Sequence, residues 1–185
     1  MSGERKIGPQ RYLATSKPLM DRPHTEFFHC RECGNVIRVE PGEKRETGLS
    51  CCESRMERLA PRPAEELPDG SELRYDIVGG LNENCVRVFW SGKRPDWLYL
   101  QTFRGGQHIF LKENKRPPAV FALAGEDAYA YCDKDPCEMC SFRCKNGFVL
   151  YAWYGEMGLF SLEINQIAST QGSSESKTRM PRHNQ

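Results

Sequence analysis

Four cysteines, arranged as a short knuckle and an adjacent pair, constrain this chain more than any other feature. Cys30 and Cys33 are separated by two residues and followed by Gly34, and the second pair is the doublet Cys51-Cys52. Four thiolates can close around one tetrahedral ion and favour zinc or iron over hard cations. Glycine at the knuckle lets backbone amides turn towards the sulfurs. Disulfides or unrelated buried thiols remain the alternatives, although two pairs this close rarely arise by accident.

Composition narrows the class of protein. The chain has 185 residues, 38% of them hydrophobic, and its mean hydropathy of −0.66 is typical of a soluble protein. No apolar run approaches the roughly 18 residues of a membrane helix. The first residues, Met1 to Lys6, lack the apolar core of a signal peptide. We therefore expect a cytoplasmic protein whose cysteines act as metal ligands in a reducing compartment, with at least one of the nine to spare.

Charge argues against nucleic acid as a partner. The formal net charge is +1, from 26 basic and 25 acidic residues, and no basic block is interleaved with aromatic residues. A four-cysteine zinc ribbon that binds nucleic acid is therefore poorly supported.

The first half of the chain predicts a polar arm followed by a small metal-dependent domain. Residues 1–26 are polar, with three prolines and no clear period. The segment 27–60 is too short to bury enough apolar surface unaided, so a metal there is also structural. Val36 to Val39 is predicted as a strand after the knuckle. Residues 61–70 contain three prolines and are predicted as a stiff, exposed linker.

The second half of the chain predicts a β-sandwich over residues 71–167, followed by a disordered tail at 168–185. Eight short runs of strand-forming residues are separated by glycine and proline signals. The predicted strands are Arg74–Val78, Asn84–Trp90, Trp97–Phe103, Gln107–Lys112, Ala119–Leu123, Ala128–Cys132, Phe148–Tyr154 and Leu159–Ile164. Both faces of the run Val149 to Tyr154 are largely apolar, which predicts a central strand. Trp90, Trp97 and Trp153 are predicted to be core residues.

The cysteine-bearing segment carries a family resemblance. Phe28 to Ile37 together with Leu49 to Met56 resembles desulforedoxin, the iron-tetrathiolate module at the N-terminus of desulfoferrodoxins, and the adjacent cysteines are the most telling mark. The resemblance implies that Cys30, Cys33 and Cys51-Cys52 hold one iron and pass one electron at a time. Glu53 departs from the pattern, because the family usually has glycine after the doublet.

The strand order of the second half is similar to the immunoglobulin-like superoxide reductase domain that follows desulforedoxin in the same family. The run Asp96 to Leu100 matches the family's tryptophan-bearing strand, and Ala128 to Cys132 resembles the strand with its active-site cysteine. The predicted fold class is therefore mainly β: a desulforedoxin-like metal knuckle followed by an immunoglobulin-like sandwich. The resemblance also makes a homodimer plausible.

The histidines that this resemblance implies are missing. A superoxide reductase centre needs four histidines and one axial cysteine around iron. The chain has four histidines in all, His24, His29, His108 and His183. Only His108 lies in the predicted sandwich, and a satisfied or exposed histidine is expected there rather than a ligand. The four-histidine iron site is therefore not predicted.

A second group of cysteines stands in place of the family's final motif. Its members, within thirteen residues of one another, are Cys132, Cys137, Cys140 and Cys144. Their spacing partly echoes plant-type ferredoxins, so the group predicts an iron, an iron–sulfur cluster or a zinc, with Cys85 as a substitute ligand. The alternative is a reduced, metal-free loop or a reversible disulfide between Cys137 and Cys140.

Three functions follow from the sequence. The first is a non-haem iron protein that exchanges single electrons with a redox partner protein through the first site, with the second cysteine cluster replacing the superoxide reductase centre. The second is a divergent superoxide reductase that converts superoxide to hydrogen peroxide. The third is a structural zinc protein that holds a surface for a partner. Neither nucleic acid nor a membrane is an expected partner.

Overall fold

The structure is a computed structural model, and it describes residues 25–40, 48–78, 84–102, 104–128, 145 and 147–164. The described residues form four β-sheets and very little helix. Along the described ranges, no helix has the length and apolar character needed to cross a lipid bilayer.

The larger body is a two-layer β-sandwich built as the alternating sequence pattern predicts. One layer has three antiparallel strands in the order β11-β8-β7 and the other has five strands in the order β10-β9-β12-β13-β6. These strands are β6 (Arg62–Pro63), β7 (Glu72–Val78), β8 (Cys85–Ser91), β9 (Trp97–Gln101), β10 (Gly106–Phe110), β11 (Ala119–Ala122), β12 (Phe148–Trp153) and β13 (Leu159–Ile164). A short helix α1 (Gly125–Ala128) follows β11.

Apolar side chains from the facing sides of the two layers form the main core. Val86 and Val88 of β8 lie opposite Leu98 and Leu100 of β9, and Leu150 comes from β12. The prediction that β12 is central is confirmed, because β12 pairs with β9 on one side and with β13 on the other. All three tryptophans are buried, as predicted.

A smaller unit, which we call the knuckle module, comprises the described residues 25–40 and 48–60. Its main sheet has the order β2-β1-β5, and a two-stranded ribbon, β3-β4, stands beside it. The strands are β1 (Glu26–His29), β2 (Val36–Val39), β3 (Ser50–Cys51), β4 (Ser54–Arg55) and β5 (Glu57–Leu59). β2 confirms the predicted strand, whereas the sequence did not predict β1 or β5.

The knuckle module covers the outer face of the five-stranded sheet. Phe27 of β1 is 2% exposed, and its ring lies 5.8 Å from that of Trp97 and 4.9 Å from that of Tyr151. His29 contacts Trp153, with ring centroids 5.4 Å apart. Every residue of β9 is buried because the sandwich core covers one face of this strand and the module covers the other.

Part of the segment 61–70, predicted as an exposed linker, is packed against the sandwich. Arg62 and Pro63 form β6 and pair in parallel with β13 at the edge of the five-stranded sheet. Ala64 and Leu67 are buried in the sandwich core. Proline fits here because an edge strand needs no N–H donor on its free side. Part of the segment 61–70 therefore belongs to the sandwich, and the domain boundaries themselves stay a prediction.

Other predictions fall wholly or partly outside the described residues. The arm is described only from Thr25 onwards, and the tail is not described. Of the predicted strand Ala128–Cys132, only Ala128 is described, and it ends α1 rather than beginning a strand. Lys145, which is fully buried, donates a hydrogen bond from Nζ to the carbonyl oxygen of Ala128 over 2.6 Å. The residues on either side of the undescribed segment 129–144 are therefore in direct contact.

Candidate metal centre

Two tight turns bring together the four cysteines that are predicted to bind a metal. In the first, the Gly34 N–H donates to the Cys30 carbonyl, and the Cys30 N–H donates to the Asn35 carbonyl, both over 2.9 Å. Gly34 has φ of +75°, so the knuckle needs the backbone freedom of glycine, as the sequence predicted. The second turn carries the doublet Cys51-Cys52 between β3 and β4.

The four thiols have the spacing that a single metal ion needs. The ligand sulfurs of Cys30, Cys33 and Cys51-Cys52 all lie within 4.8 Å of one another. A tetrahedral ion with metal–sulfur bonds of about 2.3 Å requires sulfurs about 3.8 Å apart. The Cys33 and Cys51 Sγ atoms are 3.6 Å apart, and those of Cys51 and Cys52 are 3.9 Å apart. The cluster therefore fits a tetrathiolate site for iron or zinc.

The turn at the doublet uses an uncommon backbone conformation. Cys52 has φ of +49° and Glu53 has φ of +61°, which is the left-handed region that residues with a Cβ atom rarely adopt. This conformation turns the chain so that two adjacent cysteines can serve one site. It also explains why glycine suits the position of Glu53 in the family that the segment resembles.

The thiols ionise unequally because each is a hydrogen-bond neighbour of the others. Hydrogen bonding from the Cys33 backbone, opposed by burial, lowers the pKa of Cys30 to about 7. Hydrogen bonds with Cys33 and Cys30 raise the pKa of Cys51. Contacts with Cys33 and Cys51 raise the pKa of Cys52 to about 12. A bound cation would therefore have to displace protons, chiefly from the doublet.

One side of the cluster is buried and the other side faces solvent. Cys30 is 3% exposed and packs with Phe28 and Met56 in the small core of the module, whereas Cys33 and Cys52 are exposed. The Asn35 side-chain amide points at the Cys51 sulfur from 4.0 Å. A metal held here would be bound on one side by the buried sulfur of Cys30 and on the other by the solvent-accessible cysteines Cys33 and Cys52.

Nearby basic residues are engaged with other groups. Arg31 forms a 2.7 Å ion pair with Glu57, and the guanidinium of Arg38 lies 4.4 Å from the centre of the Tyr99 ring. Arg38 also lies 3.7 Å from a carboxylate oxygen of Glu40, so a nearby carboxylate offsets the positive charge of each arginine.

The two described histidines do not join the cysteine cluster. Strand alternation points His29 away from Cys30 and towards Trp153. His108 lies on β10, with its ring 4.9 Å from Trp97 and 4.4 Å from Phe110, and partial burial lowers its pKa. Across the residues that the structure describes, only the cysteine quartet gathers three or more metal-ligating side chains.

The second predicted cluster is not tested. Cys132, Cys137, Cys140 and Cys144 all lie outside the described residues. Cys85, the predicted substitute ligand, begins β8 and is half-buried. A metal at this second site stays a prediction.

Comparison with known proteins supports the fold. No family model matches the chain, and no curated protein is significantly similar to it in sequence. Its structure is similar to the crystal structure of the superoxide reductase from Treponema pallidum, with a TM-score of 0.50 and 15% sequence identity over 76% of this chain and 99% of that one. The chain therefore has a mainly β fold similar to that of a superoxide reductase. At this identity the likeness shows the fold alone.

Proposed function

We propose that this chain is an iron-binding redox protein in which Cys30, Cys33 and Cys51-Cys52 hold one iron. The observation that carries the proposal is the placement of four thiols within 4.8 Å, at separations that suit a tetrahedral ion. Iron held by four thiolates supplies a one-electron couple and has no open coordination position. Such a centre suits transfer of single electrons to and from a redox partner protein, without binding of a substrate to the metal.

Some residues of the site are buried and fix its position, and others are exposed to solvent. Cys30 anchors the cluster in the module core with Phe28 and Met56. Exposed Cys33 and Cys52 form the edge that a partner can approach. Backbone N–H groups of the knuckle favour the Cys30 thiolate, and N–H contacts to thiolate sulfurs are among the features that set the potential of iron–thiolate centres.

A structural zinc site is the second candidate, because the same sulfur separations suit zinc and because Cys30 belongs to the module's core. Protein expressed with iron and zinc both available, and purified without oxygen, distinguishes the two. Iron at one equivalent or more, with a visible band that reductant bleaches reversibly, supports the redox proposal. A colourless protein with one zinc per chain contradicts it.

A cysteine substitution assigns the iron to this cluster. Cys51→Ser should remove the visible band and loosen residues 27–60, because Cys51 is central to the cluster and the module has little core of its own. Ser54→Ala is the matched control, since it changes an exposed side chain two residues after the doublet and removes no thiol. Full colour and iron content in Cys51→Ser, or equal loss in both variants, would count against the assignment.

A divergent superoxide reductase and a homodimer also remain proposals, and both come from the resemblance of the sequence to desulfoferrodoxins. Hydrogen peroxide production from a calibrated superoxide flux tests the first. Its absence in iron-loaded protein would reject that activity while leaving electron transfer intact.

A further inference from the structure

Strand β1 connects the cysteine cluster to the sandwich through its two faces. On one face, Phe28 and the following Cys30 pack in the core of the module. On the other face, Phe27 and His29 contact the outer surface of the five-stranded sheet. Because side chains alternate along a strand, a change in position on one face displaces the other face as well.

The surface beneath β1 is unusually aromatic for the outside of a sandwich. Trp97 and Trp153 stack at 6.2 Å with planes 13° apart, and Tyr99 and Tyr151 stack at the same distance. The ring of Phe27 contacts three of these four rings, with centroid distances between 4.9 and 6.1 Å. We call Trp97, Tyr99, Tyr151 and Trp153 the aromatic face. Burial of these rings depends on the module staying in place.

The module has little to hold it in shape apart from its cysteines. Its buried core consists of Phe28, Cys30 and Met56, and three partly buried residues pack against it: Val39, Leu49 and Cys51. Two of these six residues are therefore candidate ligands. The doublet turn adopts left-handed backbone conformations, which persist only where surrounding structure enforces them. A unit of this size normally needs a metal or another cross-link to stay folded.

We propose that a metal ion at the cysteine cluster keeps β1 seated on the aromatic face, so that loss of the metal uncovers this face while the sandwich stays folded. The inference rests on the proposed function only in requiring that the four cysteines bind a metal, and zinc serves as well as iron. Occupancy of the metal site thereby controls exposure of the aromatic face, which lies on the opposite side of β1 from the buried cysteine.

Tryptophan quenching in the zinc-loaded full-length chain tests this coupling, because zinc is colourless and does not itself quench fluorescence. Trp90→Phe leaves Trp97 and Trp153 as reporters of the aromatic face. The double variant Trp97→Phe, Trp153→Phe leaves only Trp90, which lies in the sandwich core. Removing zinc with a chelator should raise acrylamide quenching about twofold in the first protein and leave the second nearly unchanged.

A substitution of Phe27, where β1 contacts the aromatic face, separates the packing of β1 from metal binding. Phe27→Ala should still bind as much zinc as the original chain, yet show the higher quenching of the reporters before any chelator is added. Phe27→Leu keeps an apolar side chain there and should behave more like the original protein. Hydrogen exchange of the unsubstituted chain provides an independent measurement, since β1 amides should lose protection on zinc removal while those of β12 keep it.

Each contrary result has a distinct meaning. Unchanged quenching of Trp97 and Trp153 after zinc has left overturns the coupling but leaves the metal site standing. An equal rise for Trp90 also overturns it, because the sandwich then unfolds with the module. Failure of the unsubstituted chain to bind zinc or iron overturns both the coupling and the proposed function.

Discussion

Replacing Glu53 with glycine should strengthen metal binding, and the expected size of the effect comes from the backbone. Glu53 has φ of +61°, and a left-handed conformation costs a residue with a Cβ atom about 1–2 kcal/mol. Glycine avoids this cost but loses about 0.5–1 kcal/mol through the greater freedom of the unfolded chain. The two ranges leave a net gain of about 0–1.5 kcal/mol, centred on about 0.8 kcal/mol. Because metal binding and folding of the module are coupled, the centre of this range corresponds to a roughly fourfold gain in apparent affinity.

The assay is competition for zinc between the protein and a chromophoric chelator at fixed pH and ionic strength. Glu53→Ala is the matched control, because it removes the same negative charge and keeps a Cβ atom in the strained conformation. The Gly variant should bind zinc more tightly than both the Ala variant and the original chain. Equal affinities for the Gly and Ala variants would show that charge, and not backbone strain, governs this position and would refute the reasoning.

Two further predictions follow from the geometry. Metal affinity should rise with pH from neutrality upwards, because the pKa of Cys51 is raised and that of Cys52 is raised to about 12, so metal binding must release the protons of these thiols. Calorimetric zinc titrations in buffers with different enthalpies of protonation measure this release. A metal affinity that does not change with pH would contradict the prediction. Gly106→Ala should destabilise the sandwich by about 1–3 kcal/mol, because its Cβ would lie against the Tyr99 ring and 2.6 Å from the Leu100 carbonyl oxygen. Gly48→Ala, which has open space around it, is the control in denaturant unfolding, and equal midpoints for the two variants would reject the steric argument.

The sequence predicted much of the sandwich because its signals are local. Alternation of apolar residues and glycine turns located β7 to β13 within a few residues, and the two-faced apolar run at β12 indicated its central place correctly. The strand β1 was not predicted, since Glu26–His29 is only four residues long and its two phenylalanines are adjacent rather than alternating. β6 was not predicted either, because its proline suggested a linker, whereas pairing at a sheet edge tolerates proline.

The candidate site was predictable for a related reason. Cys30 and Cys33 are close in sequence, and so are the residues of the doublet, so each pair needs only a short turn to present two sulfurs. The distances that make the four thiols one cluster, including 3.6 Å between Cys33 and Cys51, join turns eighteen residues apart and depend on the pairing of β1 with β2 and β5.

What the chain alone determined is therefore its four candidate sulfur ligands and most of the described strands of its sandwich, because thiol spacing and side-chain alternation are properties of neighbouring residues. What only the tertiary structure decided is where the knuckle module lies. Phe27 and His29 carry no local signal for Trp97 or Trp153, from which they are separated by about seventy residues or more. Their contact exists because an aromatic sheet face and a small module each lack enough burial alone, and packing together supplies it to both.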